Sequence, residues 1–231
     1  MKIKNLVIAA HPDDEVIGCG GTIRKLIQKG EEVFILFLAE GVTARYNLDQ
    51  IKSKKAKDEI ILREKNALKA NSVLGIKKNK IIFLKNICCR MDEVSLIEHT
   101  KVIEKYINLI KPNRIITHNG TDLNTDHKTT FKACMVATRP KNINKFLSEI
   151  WCFEILSSTN HNLVELFKPN LFVNITDQIQ SKTLALSKYQ KEVSKDSGRD
   201  KDSILALAKY RGIQSNMKYA EAFQQIKKFF N

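Results

Sequence analysis

No stretch of this 231-residue chain reaches the roughly 18 uncharged apolar residues that a membrane-crossing helix needs. A charged start, Met1-Lys2-Ile3-Lys4, leads into an apolar run, but His11 and three acids interrupt it before it could serve as a signal sequence. The expectation is therefore a soluble, cytoplasmic protein. Cysteine is sparse and odd in number: Cys19, Cys88, Cys89, Cys134 and Cys152 show no Cys-x-x-Cys spacing. That speaks against a disulfide framework, and the five read as reduced core residues of an intracellular protein. Arginine is scarce, 8 of 39 basic residues, although the net charge is +14. Such a charge suits an anionic partner, but scattered lysines equally suit a solvated surface, and arginine is the preferred phosphate fork. With one Trp and neither helix-turn-helix nor zinc-finger spacing, no nucleic-acid partner is expected. Repeats and low-complexity tracts are absent, and the length fits one domain over 1–231. Self-association is left open.

What is present is an alternation. Apolar runs at Asn5–Ala10, Val33–Ala39, Lys80–Leu84 and Arg114–His118 predict short buried strands. Between and after them, helical periodicity predicts helices over about Gly20–Lys29, Ile51–Leu74, Glu93–Ile110 and Asp126–Thr138. Gly30 and Gly75 stand just past two helix ends, and Pro112 stops a third. This order implies an α/β fold with a mostly parallel sheet covered on both faces. After Pro140, Glu149–Leu156 and Asn170–Thr176 predict two more strands, and the chain from Asp177 reads as helical, with a polar, mobile loop over Ser194–Ser203. Residues 141–231 are expected to complete the sheet and cover the site.

Parallel strands open their ends on one edge, where such sheets place their chemistry. The first strand runs into Ala10-His11-Pro12-Asp13-Asp14-Glu15, and the fourth into His118-Asn119-Gly120-Thr121-Asp122-Leu123-Asn124-Thr125-Asp126-His127. A catalytic zinc site takes three protein ligands and leaves one position open. His11, Asp14 and one histidine of the second cluster meet that requirement: His127, which opens a helix, or its competitor His118. Asp13 is then free to act on water. Asp122 and Asp126 are cast as groups that orient the histidines. His99 and His161 lack acidic or histidine company and read as structural.

These residues resemble the PIG-L or LmbE-like metal-dependent N-deacetylases. The first family motif stands here as Ala10–Glu15 with Gly20-Gly21-Thr22, and the second as Asp122–His127. Arg63, followed by Ala67 and Leu74-Gly75, resembles a family helix that carries a substrate-contacting arginine. The likeness covers 3–140, and Arg211-Gly212 with Ala220–Phe223 resembles a bacterial subgroup associated with sugar and surface-polysaccharide metabolism. The resemblance implies a Rossmann-like three-layer sandwich, with His11, Asp14 and His127 holding Zn2+ or another divalent transition metal and Asp13 as general base. Many relatives carry a histidine where this chain has Asn124, so oxyanion stabilisation falls to Asn124 or to His118. Arg63, and with it Arg45, is expected to bind substrate.

The implied reaction is removal of an N-acetyl group from an N-acetylglucosamine-type sugar or conjugate, phosphorylated or lipid-linked if the basic charge is functional. The rival reading is a nucleotide-binding oxidoreductase: Gly18-Cys19-Gly20-Gly21 follows a strand, and Glu40 ends the next at about the 20-residue offset of a dinucleotide fingerprint. Its spacing fails, because His11–Ile17 intervene and Ile23 stands at the third glycine position. The glycines are expected instead to let the first helix pack closely on the sheet.

Overall fold

The computed structural model describes residues 2–140, 145–189 and 198–229. Seven strands form one sheet: β1 (Lys4–Ala9), β2 (Glu32–Ala39), β3 (Ile81–Asn86), β4 (Arg114–His118), β5 (Glu149–Phe153), β6 (Leu171–Asn174) and β7 (Ala220–Lys228). Their order is β3-β2-β1-β4-β5-β7-β6. The first five pair in parallel, and β7 runs antiparallel between β5 and β6. Among the described residues six α-helices accompany them: α1 (Asp14–Gln28), α2 (Lys54–Leu74), α3 (Leu96–Ile110), α4 (Thr125–Ala137), α5 (Ile179–Leu186) and α6 (Lys201–Gln214).

The strand alternation sorts side chains into two cores. From β1, Val7 and Ala9 join Ile23, Leu26, Ala67, Ala70 and Leu74 of α1 and α2, whereas Leu6 and Ile8 join Ile103, Ile107 and Ala133 of α3 and α4. The expected three layers follow. Gly75 takes the left-handed cap of α2 (φ 95) that glycine adopts without strain.

The structure departs from the sequence reading in three places. α1 begins at Asp14, within the acidic corner, and kinks at Cys19 (φ −146, ψ 21). The kink frees the amides of Gly21 and Thr22, which donate to Glu221 at 2.8 and 2.7 Å. Secondly, β7 lies in a region that reads as helical. Its sequence, AEAFQQIKK, is rich in helix formers, but pairing on both sides with β5 and β6 overrides that propensity. Thirdly, α6 starts at Lys201, inside the expected loop, capped by the Asp200 carboxylate, which accepts from the Asp202 and Ser203 amides. Positions 194–197 of that loop lie outside the described residues.

The close approach of α1 is as expected. A Cβ on Gly18 would meet the Phe153 ring at 2.3 Å, and one on Gly21 would meet Ile175 at 2.8 Å. Strand order reverses between β1 and β4, the neighbours whose C-terminal ends carry the two motifs. A crevice at such a reversal is where open α/β sheets bind ligands.

Candidate active site

Just beyond β1 the chain turns sharply, with Asp13 at φ 135 and ψ −30, a strained conformation for a residue with a Cβ. Glu15 holds the turn. Its Oε2 accepts the Asp13 amide at 3.0 Å, and its Oε1 accepts Asn71 Nδ2 at 2.8 Å and the Tyr189 hydroxyl at 2.6 Å. Burial raises the Glu15 carboxyl to about 7 against those hydrogen bonds. No sequence signal separates this supporting role from that of the neighbouring acids.

His11, Asp14 and His127 converge, with one potential ligand atom from each lying within 4.8 Å of the others. Asp14 Oδ2 is 3.4 Å from His11 Nδ1 and 3.3 Å from His127 Nε2. The outer nitrogens are both held by carboxylates: His11 Nε2 lies 2.8 Å from Asp126, and His127 Nδ1 lies 3.0 Å from Asp122. Those contacts place the ring protons outward and leave the inner nitrogens as lone-pair donors, the arrangement of carboxylate–histidine–metal sites. Asp122 is itself fixed by Ser158 Oγ (2.9 Å), Thr159 Oγ1 (2.6 Å) and the Asn124 amide (2.8 Å). Asp126 accepts the amides of Cys89 (2.5 Å) and Met91 (3.1 Å).

Two buried atoms of this trio, Asp14 Oδ1 and His127 Nε2, have no hydrogen-bond partner among the described residues. Orphaned buried polar atoms call for an explanation, and two imidazoles with a carboxylate fit a zinc-like cation. Without a cation the charges answer one another. Burial opposes charge on His127, but Asp14 and Asp122 outweigh it and raise the imidazole to about 9. For His11, burial is likewise outweighed, by Cys88, Asp126 and Asp14, and the group sits well above its ordinary range. Burial works against the Asp122 anion too, yet His127 brings it down to about 2.

His118, Asp122 and His127 also lie close enough to share an ion, but His118 Nε2 and the Asp122 carboxylate are already engaged. His118 Nε2 accepts the Ala10 amide at 2.9 Å, and Asp122 is satisfied as described. The His118 ring is fully buried between His127, 4.0 Å away and nearly parallel, and Phe153. Burial and the charge of His127 pull it down to about 4. Asn124 is half-buried at the head of α4. Its Oδ1 caps the helix by accepting the Asp126 and His127 amides, and its Nδ2 lies 3.9 Å from Cys89 Sγ.

Asp13 is fully buried, with Oδ2 between two guanidiniums: Arg63 Nη2 at 3.0 Å and Arg199 Nη1 at 3.1 Å. Its Oδ1 has no hydrogen-bond partner among the described residues. Arg63, expected to contact substrate, is only 5% exposed and is directed at Asp13. Arg45 is exposed on the turn Thr43–Arg45, outside the buried cluster. Arg199 escaped the sequence reading altogether. It comes from the segment read as a polar loop, 186 residues from Asp13 in the chain, and no local pattern marks it.

Cys19, Cys88, Cys134 and Cys152 are buried, whereas Cys89 is exposed, and all five are free thiols. The core expectation therefore fails for Cys89. A hydrogen bond from Cys89, opposed by burial and reinforced by the charge of His11, lowers the Cys88 thiol to about 5. The features of the dinucleotide rival have other uses. Glu40 accepts the amides of Val42, Thr43 and Cys88 and the Thr43 hydroxyl, and Glu221 occupies the amides of Gly21 and Thr22.

Residues 6–138 match the family described as PIG-L, GlcNAc-PI de-N-acetylase. The chain is 26% identical over 192 residues to a probable N-acetyl-alpha-D-glucosaminyl L-malate deacetylase 2 of Bacillus cereus, covering 81% of this chain and 82% of that one. It is 24% identical over 247 residues to the diacetylchitobiose deacetylase of Thermococcus kodakarensis, covering 98% and 84%. In three dimensions it is similar to the N,N'-diacetylchitobiose deacetylase from Pyrococcus horikoshii, with a TM-score of 0.77, 23% identity and coverage of 97% and 84%. Among the described residues, no helix is long and apolar enough to cross a membrane.

Proposed function

This chain belongs to the PIG-L family, and from that premise we propose that it is a zinc-dependent N-deacetylase. Its substrate is an N-acetylglucosamine-type sugar or conjugate, and the products are acetate and a free amine. The named activities of the relatives support the reaction class. The observation that carries the reading is the set of orphaned buried atoms, Asp13 Oδ1, Asp14 Oδ1 and His127 Nε2, gathered at the strand-order reversal.

His11, Asp14 and His127 would hold the ion, and Asp126 and Asp122 fix the two ring tautomers. A zinc ion held there would supply Lewis acidity toward the amide carbonyl and would lower the pKa of water toward about 7. Asp13 acts through Oδ1, the oxygen left free by the two arginines. It accepts a proton from the attacking water and returns it to the departing nitrogen, which cannot leave as an anion. Asn124 Nδ2, at the mouth, donates to the oxyanion, a role worth roughly 3 kcal/mol of barrier. The enclosed, engaged His118 supports the Ala10 turn instead. Arg45, on the exposed side, contacts the larger group to which the sugar is attached, and a net charge of +14 favours an anionic, phosphate-bearing one. The chain works as one domain, because β5–β7 finish the sheet and Ser158, Thr159 and Arg199 complete the site.

Metal content and acetate release, measured together on wild-type protein and on His127→Ala, test the reading. About one zinc per chain, with acetate released from N-acetylglucosamine conjugates and both lost in the variant, is the expected result. A metal-free, inactive wild type after zinc loading would overturn it.

A further inference from the structure

Cys88 and Cys89 are consecutive residues just after β3, yet their sulfurs lie 3.8 Å apart. Neighbouring side chains on an extended chain point to opposite sides. Here Cys89 stands at φ 56, the left-handed region that a residue with a Cβ avoids. The turn is pinned by Asp126, which accepts the Cys89 amide, and by Glu40, which accepts the Cys88 amide at 2.9 Å. Such strain, held from both sides, calls for a function, and the deacetylation chemistry uses neither sulfur.

A second pair of donors faces the thiols. One ligand atom each from His11, Cys88, Cys89 and Asp126 lies within 4.8 Å of all the others, and His11 Nε2 is 2.8 Å from Asp126. Two thiolates bound to tetrahedral zinc at about 2.3 Å sit about 3.8 Å apart, so the sulfurs already span one edge of that tetrahedron. The exposed side of Cys89 provides an entry path.

We propose that Cys88, Cys89, His11 and Asp126 form a second metal site, selective for a soft cation such as zinc or cadmium, which shares His11 with the hydrolytic centre. Sulfur donors exclude magnesium and calcium and favour thiophilic ions. Binding displaces to solvent the protons that the two sulfurs and His11 Nε2 still carry. With both sites filled, His11 would serve the two cations from opposite sides of its ring, Nδ1 facing Asp14 and Nε2 facing Asp126.

The test is a cadmium titration of protein already loaded with one equivalent of zinc, followed by the ultraviolet thiolate-to-cadmium charge-transfer band and by metal analysis after gel filtration. Wild type is expected to gain the band, saturating at one further equivalent. Cys88→Ser/Cys89→Ser is expected to show no band while keeping its first zinc and its circular dichroism spectrum. Cys89→Ser alone alters only an exposed side chain and should weaken cadmium binding by more than about tenfold, the lower bound for losing even an outer partner of a metal site. A wild type without the band overturns the proposal, as does a band of equal size in the double variant, which would place the cadmium on the buried thiols. Cadmium that merely displaces zinc without a band also overturns it. Protein that shows the band but never binds the first zinc leaves the thiol site standing and removes the deacetylase reading instead.

Discussion

Lys182, Glu221, Arg211 and Glu154 are nearly as deeply buried as Asp13, Asp14, His118 and His127, yet the two clusters differ in what is left over. In the first, Lys182 Nζ meets Glu221 at 2.6 Å and the Ile17 carbonyl at 2.8 Å. Glu221 also takes two α1 amides, and Arg211 grips both oxygens of Glu154 at 2.7 and 2.6 Å. None of these side-chain atoms lacks a partner. In the second cluster, Asp13 Oδ1, Asp14 Oδ1, His118 Nδ1 and His127 Nε2 are all without one among the described residues. Saturated buried charge fixes a structure, while unsaturated buried charge at a crevice marks where a ligand and a reaction belong.

Substitutions on either side sharpen that contrast. Asp13→Asn should lower kcat by roughly 10²–10⁴, the usual worth of a positioned general base, with zinc content unchanged. Loss of the metal together with activity would make Asp13 a ligand instead. Lys182→Met strikes the saturated cluster and should cost roughly 3 kcal/mol of stability by stranding Glu221, read as a lower urea midpoint with kcat per folded molecule preserved. An equal loss of kcat would erase the distinction between the clusters. Arg199→Ala leaves Asp13 with Arg63 alone, and the expected fall in kcat is about tenfold, near 1.4 kcal/mol of barrier. Unchanged turnover would reduce Arg199 to a surface tether.

The smallest effect is in pH. In metal-free protein His127 titrates at about 9 against 6.5 for the free side chain. A raised pKa contributes stability that is fully present below 6.5 and is lost as pH climbs through 9. Metal-free protein should therefore melt at a lower temperature at pH 9.5 than at pH 6.5 by an amount that Asp122→Asn reduces. Equal dependence in wild type and variant would show that the Asp122–His127 pair does not set it.

Strands β1 to β4 were legible because parallel strands covered on both faces read as unbroken apolar runs, such as Leu6-Val7-Ile8 and Ile35-Leu36-Phe37-Leu38. The His11–Asp14 and Asp122–His127 motifs were legible because each is contiguous and sits at a strand end. What escaped the sequence was decided at long range. Ala220–Lys228 carries helix-forming letters, and its strand state comes from the partners on either side. Arg199 reaches Asp13 only after the sheet has brought them together. Cys88 and Cys89 looked like core letters because their geometry depends on the Asp126 carboxylate, which caps a turn far away in the chain.

The placement of β7 between β5 and β6 also sets a timetable for synthesis. Among the described residues β6 pairs with β7 alone, so its backbone waits for a partner that a ribosome working at ~5–20 residues per second delivers only some seconds later. Until then Lys182 lacks Glu221, the α1 amides lack their acceptor, and β5 presents an open edge to neighbouring nascent chains. Chaperone demand should fall on that interval, and a stop codon before Ala220 would leave the parallel half of the sheet made but unsealed.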